Sequence, residues 1–275
     1  MNRIVKKRRL APNVCEYVVE APAVAAKAKP GMFIILRVDE EGERIPFTIC
    51  DFDIAAGTVT VLVQEVGYST LKLAQVEEGG YIADFVGPLG RPTDLTEYKR
   101  ICLVGGGIGT AVIYPQAKYL KSIGKSADVI VGARTKDLIM YEDEFRKAAK
   151  NLYLTTDDGS YVRKGFVTDV LKEHLEKGEY DCVMAVGPMP MMRAVANLTK
   201  EYNVKTVVSM NPLMVDGTGM CGCCRVSVGG KTKYACVDGP EFDGHEIDWA
   251  EAMARLGAYK AIEKEHVCRL TGEKR

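Results

Sequence analysis

The pattern of apolar residues changes near residue 97, and this change constrains the fold more than any other feature of the sequence. Before it, short β-branched runs bounded by Gly and Pro, such as residues 33–38 and 57–63, indicate antiparallel strands. After it, apolar strands alternate with helical stretches, which is typical of a parallel sheet covered by helices on both faces. We therefore predict an antiparallel β-barrel over residues 1–97 and a Rossmann-like α/β nucleotide domain over residues 98–212.

A third segment, residues 213–275, contains clustered cysteines, then loops rich in Gly and Asp, and then a predicted helix from Trp249 to about Glu265. We expect it to form a small C-terminal subdomain. The helix carries an apolar stripe, which suits packing either against a partner subunit or against its own domain.

The composition excludes several classes of protein. The 275 residues include 37 basic and 37 acidic side chains, so the clustered positive charge of a nucleic-acid-binding protein is not expected. No stretch approaches the roughly 18 apolar residues of a membrane span, and the first residues do not form a signal peptide. The chain is therefore expected to be cytoplasmic, where nine cysteines suggest metal or redox use instead of disulfides.

Four of the nine cysteines are clustered. The spacing is Asp216-x4-Cys221-x2-Cys224-x11-Cys236, which matches a plant-type [2Fe–2S] site except that the first ligand position holds Asp. A carboxylate oxygen binds iron, although it is a harder ligand than thiolate. Cys223 is the alternative fourth ligand, although adjacent residues project in different directions. Structural zinc is the alternative metal, although Cys236 stands alone instead of forming a second knuckle.

Two glycine turns indicate a nucleotide site. Each follows a predicted strand and opens a helix, where glycines allow close approach to a phosphate and the helix offers free N–H groups. Ligands of such sheets bind at the carboxyl ends of the strands, so the two turns would border one pocket. The alternative for the second turn is that Pro188 and Pro190 only shape the start of a helix whose methionines belong to the core. The candidate residues are Gly105, Gly106, Gly107, Ile108, Gly109 and Thr110 in the first turn, and Gly187, Pro188 and Met189 in the second.

The barrel, the glycine turns and the cysteine segment, in this order, resemble the ferredoxin–NADP reductase superfamily. Within it, the chain resembles iron–sulfur flavoproteins related to the dihydroorotate dehydrogenase electron-transfer subunit, and most of all the small subunits of NADH-dependent reduced ferredoxin:NADP oxidoreductases. The resemblance covers almost the whole chain. It implies bound FAD, a [2Fe–2S] cluster held by Asp216 and three cysteines, and NAD(H) as substrate, with NADP(H) as the alternative.

The resemblance also implies where the flavin binds. Residues 44–49 match the family motif Arg-x-Tyr-Ser, in which an aromatic residue packs by the flavin, a hydroxyl faces N5 and the Arg meets the pyrophosphate. Arg44 stands one position too early, which leaves open whether it meets phosphate or solvent. The candidate cofactor-binding residues are Pro46, Phe47, Thr48 and Ile49 on the barrel strand, Gly67, Tyr68, Ser69 and Thr70 at a second turn, and Asp157 in the NAD-side loop.

The function implied by the resemblance is hydride exchange between NAD(H) and FAD, followed by relay of single electrons through the cluster. The expected partner in a heterodimer is a larger subunit with flavin and [4Fe–4S] clusters, and ferredoxin acts through the complex. Two alternatives remain: a dihydroorotate dehydrogenase electron-transfer subunit, whose pattern has Cys at the first ligand position, and a non-catalytic regulatory subunit with structural zinc. We expect His174 and His266 to be solvated, and His245 to be structural or part of an interface.

Overall fold

The computed structural model describes residues 1–271, so the last four residues of the predicted third segment lie outside the described residues. The strands are β1 (Asn2–Ala11), β2 (Val14–Glu20), β3 (Phe33–Arg37), β4 (Ile45–Thr48), β5 (Asp51–Asp53), β6 (Thr58–Gln64), β7 (Tyr81–Ile82), β8 (Asp84–Leu89), β9 (Ile101–Gly106), β10 (Ala127–Ala133), β11 (Leu152–Thr156), β12 (Cys182–Val186), β13 (Lys205–Ser209), β14 (Arg225–Val228), β15 (Lys231–Tyr234) and β16 (Glu241–Asp243). The α-helices are α1 (Pro22–Ala25), α2 (Tyr68–Ala74), α3 (Thr110–Ser122), α4 (Glu142–Ala148), α5 (Val167–Leu175), α6 (Met189–Glu201), α7 (Ala235–Asp238), α8 (Trp249–Leu256) and α9 (Lys260–Thr271).

The N-terminal part consists of two antiparallel sheets, ordered β5-β6-β2-β1-β7 and β4-β3-β8. Ile4 and Tyr17 of the first sheet share one buried core with Ile34 and Leu36 of the second. Because side chains alternate along a strand, Ile35 of β3 faces the opposite way and belongs to a different core. Strand β3 is thus covered on both faces.

The nucleotide part is a sheet of order β11-β10-β9-β12-β13-β16, in which the first five strands are parallel. The chain runs outward from β9 in one direction and from β12 in the other, so a crevice opens between the carboxyl ends of these two strands. The fold class predicted from the sequence is confirmed: antiparallel sheets come first and a parallel α/β sheet follows.

Strand β16 is not foreseen by the sequence, which suggests only loops in this region. It pairs antiparallel with β13, where Phe242 lies opposite Val208. The three-residue strand is too short to show a period, and its pairing depends on a partner more than 30 residues earlier in the chain. The pairing joins the third segment to the nucleotide sheet, and the domain limits given above stay predictions.

The C-terminal region differs from the prediction of one helix from Trp249 to about Glu265. It forms two helices, α8 and α9, with Gly257 at the end of the first. Helix α8 packs on its own domain, since Ala252 is buried and Met253 contacts the core under the nucleotide sheet. Helix α9 instead packs against α2 of the barrel. Within residues 1–271, no helix combines the length and apolar character needed to cross a membrane.

The expectation that His174 is solvated is wrong. Its spacing from Val170 and Leu171 places it on the buried face of α5, and its side chain is about 10% exposed. The ring lies against Tyr153, with centroids 4.5 Å apart, and its Nδ1 lies 2.6 Å from the Glu179 carboxylate. The histidine therefore belongs to the packing of the nucleotide domain.

Candidate functional site

A cleft of about 1010 Å³ lies between the barrel and the carboxyl ends of the parallel strands. It is lined by strand β4, by the turn after β9 and by the turn after β12, so the two predicted glycine turns do border one pocket. Val186 pairs with Gly105 across the adjacent strands, which brings the turns together. The predicted residues that line the cleft are Pro46, Phe47, Thr48, Thr70, Gly106, Gly107, Ile108, Gly109, Asp157, Gly187 and Pro188.

The other predicted residues lie behind this lining or beside it. Ile49 is fully buried in the barrel core, and Met189 is 2% exposed at the start of helix α6. Gly105 and Thr110 are also buried, and the Thr110 hydroxyl donates to the carbonyl of Gly107. These four residues shape the walls of the cleft.

The glycines of the first turn are required by close packing. A Cβ at Gly109 would lie 2.2 Å from the carbonyl oxygen of Val186, and a Cβ at Gly106 would lie 2.3 Å from the sulfur of Met191. Any side chain at Gly109 would therefore push the first turn away from the second. The glycines of this motif are therefore explained by the contact between the two turns as well as by nucleotide binding.

The start of helix α2 accommodates anionic groups. The Tyr68 N–H donates to a carboxylate oxygen of Glu263 at 2.8 Å, and the Ser69 hydroxyl donates to Glu43 at 2.6 Å. Gly67 lies against the same Glu263 carboxylate. These donors are the ones predicted for a flavin pyrophosphate, and a helix N-terminus favours such charge. The carboxylate of Glu263 reaches this position from helix α9.

Sequence reasoning missed several residues of the cleft. Asn211 and Met214 line it just after β13, and Val66 lines it just before helix α2. The sequence could have indicated Asn211 as a cleft residue, because it follows the carboxyl end of a parallel strand. Met214 and Val66 carry no comparable signal.

The cysteine loop, residues 214–224, and Cys236 on helix α7 together provide two buried thiols and two more accessible ones. Cys224 and Cys236 are each 2% exposed, are not joined by a disulfide, and have their sulfurs 3.2 Å apart. Burial raises the pKa of Cys236 to about 12. Cys221 is exposed, and backbone N–H groups of Cys223 and Asp216 donate to its sulfur, which lowers its pKa.

Asp216 is held by its own loop. One carboxylate oxygen accepts from the Thr218 hydroxyl, from the Thr218 N–H at 2.8 Å and from the Met220 N–H at 3.3 Å. The Thr218 hydroxyl bond is the largest cause that lowers the pKa of Asp216. The side chain is therefore a carboxylate, with its other oxygen unused by these bonds.

The four predicted ligands do not converge on a single point. Across the part of the chain that the structure describes, no three His, Cys, Asp or Glu side chains are arranged to hold a metal ion. Cys224 and Cys236 are brought together, while Cys221 lies next to Cys223. The chemistry of the donors still fits an iron–sulfur cluster, since paired thiols and N–H groups aimed at sulfur are what such a cluster requires. The ligand set stays a prediction.

The cysteine loop packs directly on strand β3. Cys224 and Cys236 share a core with Phe33 and Ile35, on the face of β3 opposite the barrel core. Gly217 has φ +83°, and a Cβ there would lie 2.8 Å from Ile35. Only glycine permits this approach. Because β3 pairs with β4, the cysteines and the flavin-motif residues lie close to the same strand.

His245 does not join the cysteines. Its Nε2 lies 3.0 Å from the Thr199 hydroxyl, and its backbone N–H donates to Asp243. Burial lowers the pKa of His245. The structure therefore places it in the packing between α6 and the turn after β16.

Known families match two parts of the chain. Residues 103–197 match the oxidoreductase NAD-binding domain. Residues 211–248 match the iron–sulfur cluster binding domain of dihydroorotate dehydrogenase B. The second match covers both the cysteine loop and Cys236.

Three relatives resemble the chain over nearly its whole length. An uncharacterized protein in adh 3'region of Clostridium beijerinckii is 52% identical over 272 residues, covering 96% of this chain and 92% of its own. A homolog of the dihydroorotate dehydrogenase B (NAD(+)) electron transfer subunit from Thermotoga maritima is 45% identical, covering 96% and 93%. A chain in the solved structure of NADH-dependent reduced ferredoxin-NADP oxidoreductase, studied for flavin-based electron bifurcation, is 44% identical, with TM-score 0.94 and 98% coverage of both chains.

Proposed function

Because the chain belongs to the family of dihydroorotate dehydrogenase B electron-transfer subunits and their homologs, we propose that it exchanges hydride between NAD(H) and FAD and relays single electrons through a [2Fe–2S] cluster. It is an oxidoreductase subunit of the ferredoxin–NADP reductase type, with an NAD-binding domain and an iron–sulfur domain. The observation that carries the proposal is the position of β3, which separates the cysteine loop from the barrel core and pairs with the flavin-motif strand.

When bound, the flavin accepts hydride and the cluster carries one electron at a time. The protein supplies binding, orientation and shielding from water. Thr48 would present its hydroxyl to flavin N5, and Phe47 would pack against the ring. The backbone of Gly106–Gly109 and Gly187–Pro188 would hold the nicotinamide nucleotide, and Tyr68 and Ser69 would donate to the flavin pyrophosphate.

The proposed cluster ligands are Asp216, Cys221, Cys224 and Cys236. The arrangement of Cys223 supports its exclusion, because this residue lines a separate small pocket with Met189 and Leu256. Its carbonyl oxygen also accepts a hydrogen bond from Arg255 at 3.1 Å. Cys223 thus contacts helix α8, and its thiol also lies beside that of Cys221.

The proposed partner is a larger subunit that carries flavin and [4Fe–4S] clusters, in an electron-bifurcating complex that connects NADH, ferredoxin and NADP. Homologs of this chain are subunits of multi-subunit enzymes. Apolar side chains around the cysteine loop support docking there: Met220 is 87% exposed, Val215 50% and Leu213 42%. Burying them against a partner would also bring the cluster close to its electron acceptor.

Anaerobic purification with the co-expressed partner tests the proposal. We expect one FAD and two irons with two labile sulfides in this subunit, and bleaching of the flavin band on titration with NADH. A parallel NADPH titration decides between the two nucleotides. Zinc without labile sulfide, or a colourless protein, would overturn the proposal in favour of a regulatory subunit.

A matched pair of variants tests the assignment of the cluster ligands. Asp216→Ala should lose or destabilise the cluster and leave FAD bound, whereas Cys223→Ala should retain both. Iron, sulfide and flavin content and the EPR signal of the reduced protein are measured. The reverse result, with an intact cluster in Asp216→Ala and a lost one in Cys223→Ala, would move the fourth ligand to Cys223.

A further inference from the structure

Arg44 joins the flavin-motif segment to the cysteine loop. Its Nε donates to the carbonyl of Val215 at 3.0 Å, and its Nη2 donates to the carbonyl of Asp216 at 3.3 Å. These partners lie more than 170 residues away in the sequence. The side chain therefore contacts the cysteine loop, although the sequence motif suggests a phosphate or solvent.

The bond to Val215 orients a peptide group. A trans peptide is planar, so its C=O and N–H point in opposite directions. With the Val215 carbonyl directed at Arg44, the N–H of the same peptide, which belongs to Asp216, points the other way and donates to the sulfur of Cys221. The Arg44 guanidinium thus orients the peptide whose N–H donates to the sulfur of Cys221.

A second arginine holds the other peptide that donates to this sulfur in the same way. Arg225 donates to the carbonyl of Gly222 at 3.2 Å, and the N–H of that peptide, which belongs to Cys223, donates to Cys221. Both N–H donors of Cys221 therefore come from peptides whose carbonyls are held by a guanidinium. Arg225 directly follows the loop at the start of β14, whereas Arg44 comes from the barrel.

We propose that Arg44 is a positioning residue, which holds the Val215–Asp216 peptide toward Cys221 and thereby raises the reduction potential of the cluster. The inference rests on the proposed function, because it concerns the residues around the proposed cluster. Reduction adds negative charge, which N–H groups aimed at sulfur and a nearby guanidinium stabilise. A bond from a charged donor is about twice as strong as a neutral one, so the loss should be measurable.

The same short segment would then serve two cofactors. Arg44 immediately precedes β4, whose residues Pro46, Phe47 and Thr48 line the cleft. Anchoring the cysteine loop at Arg44 fixes its position relative to these residues. A shorter or uncharged side chain would loosen the loop on the side that carries the first predicted ligand, Asp216.

Redox titration of the holoprotein with its partner, followed by EPR, tests this role in Arg44→Met and Arg44→Lys. In Arg44→Met we expect reduction of the cluster to become about tenfold less favourable, which is about 59 mV more negative for one electron. Arg44→Lys keeps the charge but not the two-point contact, and its shift should be smaller. FAD and iron content should stay at wild-type values in both.

Arg37→Met is the matched control. Arg37 ends strand β3 of the same sheet, and its guanidinium pairs with Asp84 at 2.5 Å and with the Glu40 carbonyl. Its removal deletes a partly exposed barrel arginine without touching the cysteine loop, so the cluster potential should not change. A shift equal to that of Arg44→Met would show a general charge effect and overturn the positioning role.

Two further results would overturn the inference. One is an unchanged potential in both Arg44 variants. The other is loss of FAD with an unchanged potential, which would make Arg44 a pyrophosphate ligand. If Arg44→Met does not retain the cluster, Arg44→Lys decides: a lowered potential supports the inference, and a wild-type potential overturns it. Absence of an iron–sulfur signal in the wild type would refute the proposed function itself.

Discussion

Tyr141→Phe is expected to weaken the junction between the barrel and the nucleotide domain. The Tyr141 hydroxyl donates to the Glu16 carboxylate at 2.5 Å, and both residues are buried. Glu16 also accepts two bonds from Arg8, at 2.9 and 3.0 Å. Burial is the largest cause that raises the pKa of Tyr141, so its hydroxyl keeps its proton and remains a donor.

The expected cost follows from the bonds that remain. The variant removes one hydrogen bond to a charged acceptor, which is worth about 1.5–3 kcal/mol, and also the weak bond that the Cys50 thiol donates to the Tyr141 hydroxyl at 3.6 Å. Glu16 keeps both bonds to Arg8, so the carboxylate is not left without a partner. A loss of this size lowers the melting temperature by roughly 3–5 °C in a protein of 275 residues.

Urea and thermal unfolding measure the effect, and Tyr119→Phe is the control, since that ring is 39% exposed. A double-mutant cycle of Tyr141→Phe with Glu16→Gln isolates the pair, and a coupling energy above about 0.5 kcal/mol is expected. Tyr141→Phe with the stability of the control, or full additivity in the cycle, would refute the reasoning that this bond secures the junction.

Three other variants test separate features of the structure. Both carboxylate oxygens of Glu241 are buried and lack a hydrogen-bond partner within the described chain. Burial raises the pKa of Glu241. Its contribution to the free energy of unfolding is therefore fully present below its unfolded pKa and is lost as the pH rises through its folded pKa. Glu241→Gln should therefore raise the free energy of unfolding by about 1–3 kcal/mol at pH 8 but by little at pH 4. A gain in stability that does not depend on pH, or an equal gain in the exposed Glu246→Gln, would contradict this. Glu263→Gln removes a negative charge from the start of α2, where such a charge is worth about 0.3–1 kcal/mol. If Glu263 competes with the flavin pyrophosphate for this position, flavin titration should show roughly two- to fivefold tighter FAD binding. Weaker binding would argue against this competition. Gly109→Ala places a Cβ 2.2 Å from the Val186 carbonyl oxygen, and stopped-flow reduction by NADH should slow by at least about tenfold with FAD content unchanged, whereas a wild-type rate would show that the turn tolerates displacement.

The sequence alone determines the features that depend on neighbouring residues. The change from β-branched runs to alternating strands and helices identifies the fold class, because hydrophobic period follows local backbone geometry. The glycine turns are recognisable because close backbone approach excludes a Cβ. The spacing from Asp216 to Cys236 predicts the type of cluster, because the first three of the proposed ligands lie in one short loop.

Only the tertiary structure decides what distant residues do to one another. Arg44 reaches the carbonyls of the cysteine loop, Glu263 reaches the start of helix α2, and the Glu241 carboxylate is buried beside the barrel, all through contacts between separate segments. Such contacts leave no local pattern, because a charged side chain has the same propensities wherever its partner lies. The motif suggests phosphate or solvent for Arg44, whereas packing of the loop on β3 makes the backbone carbonyls its partners.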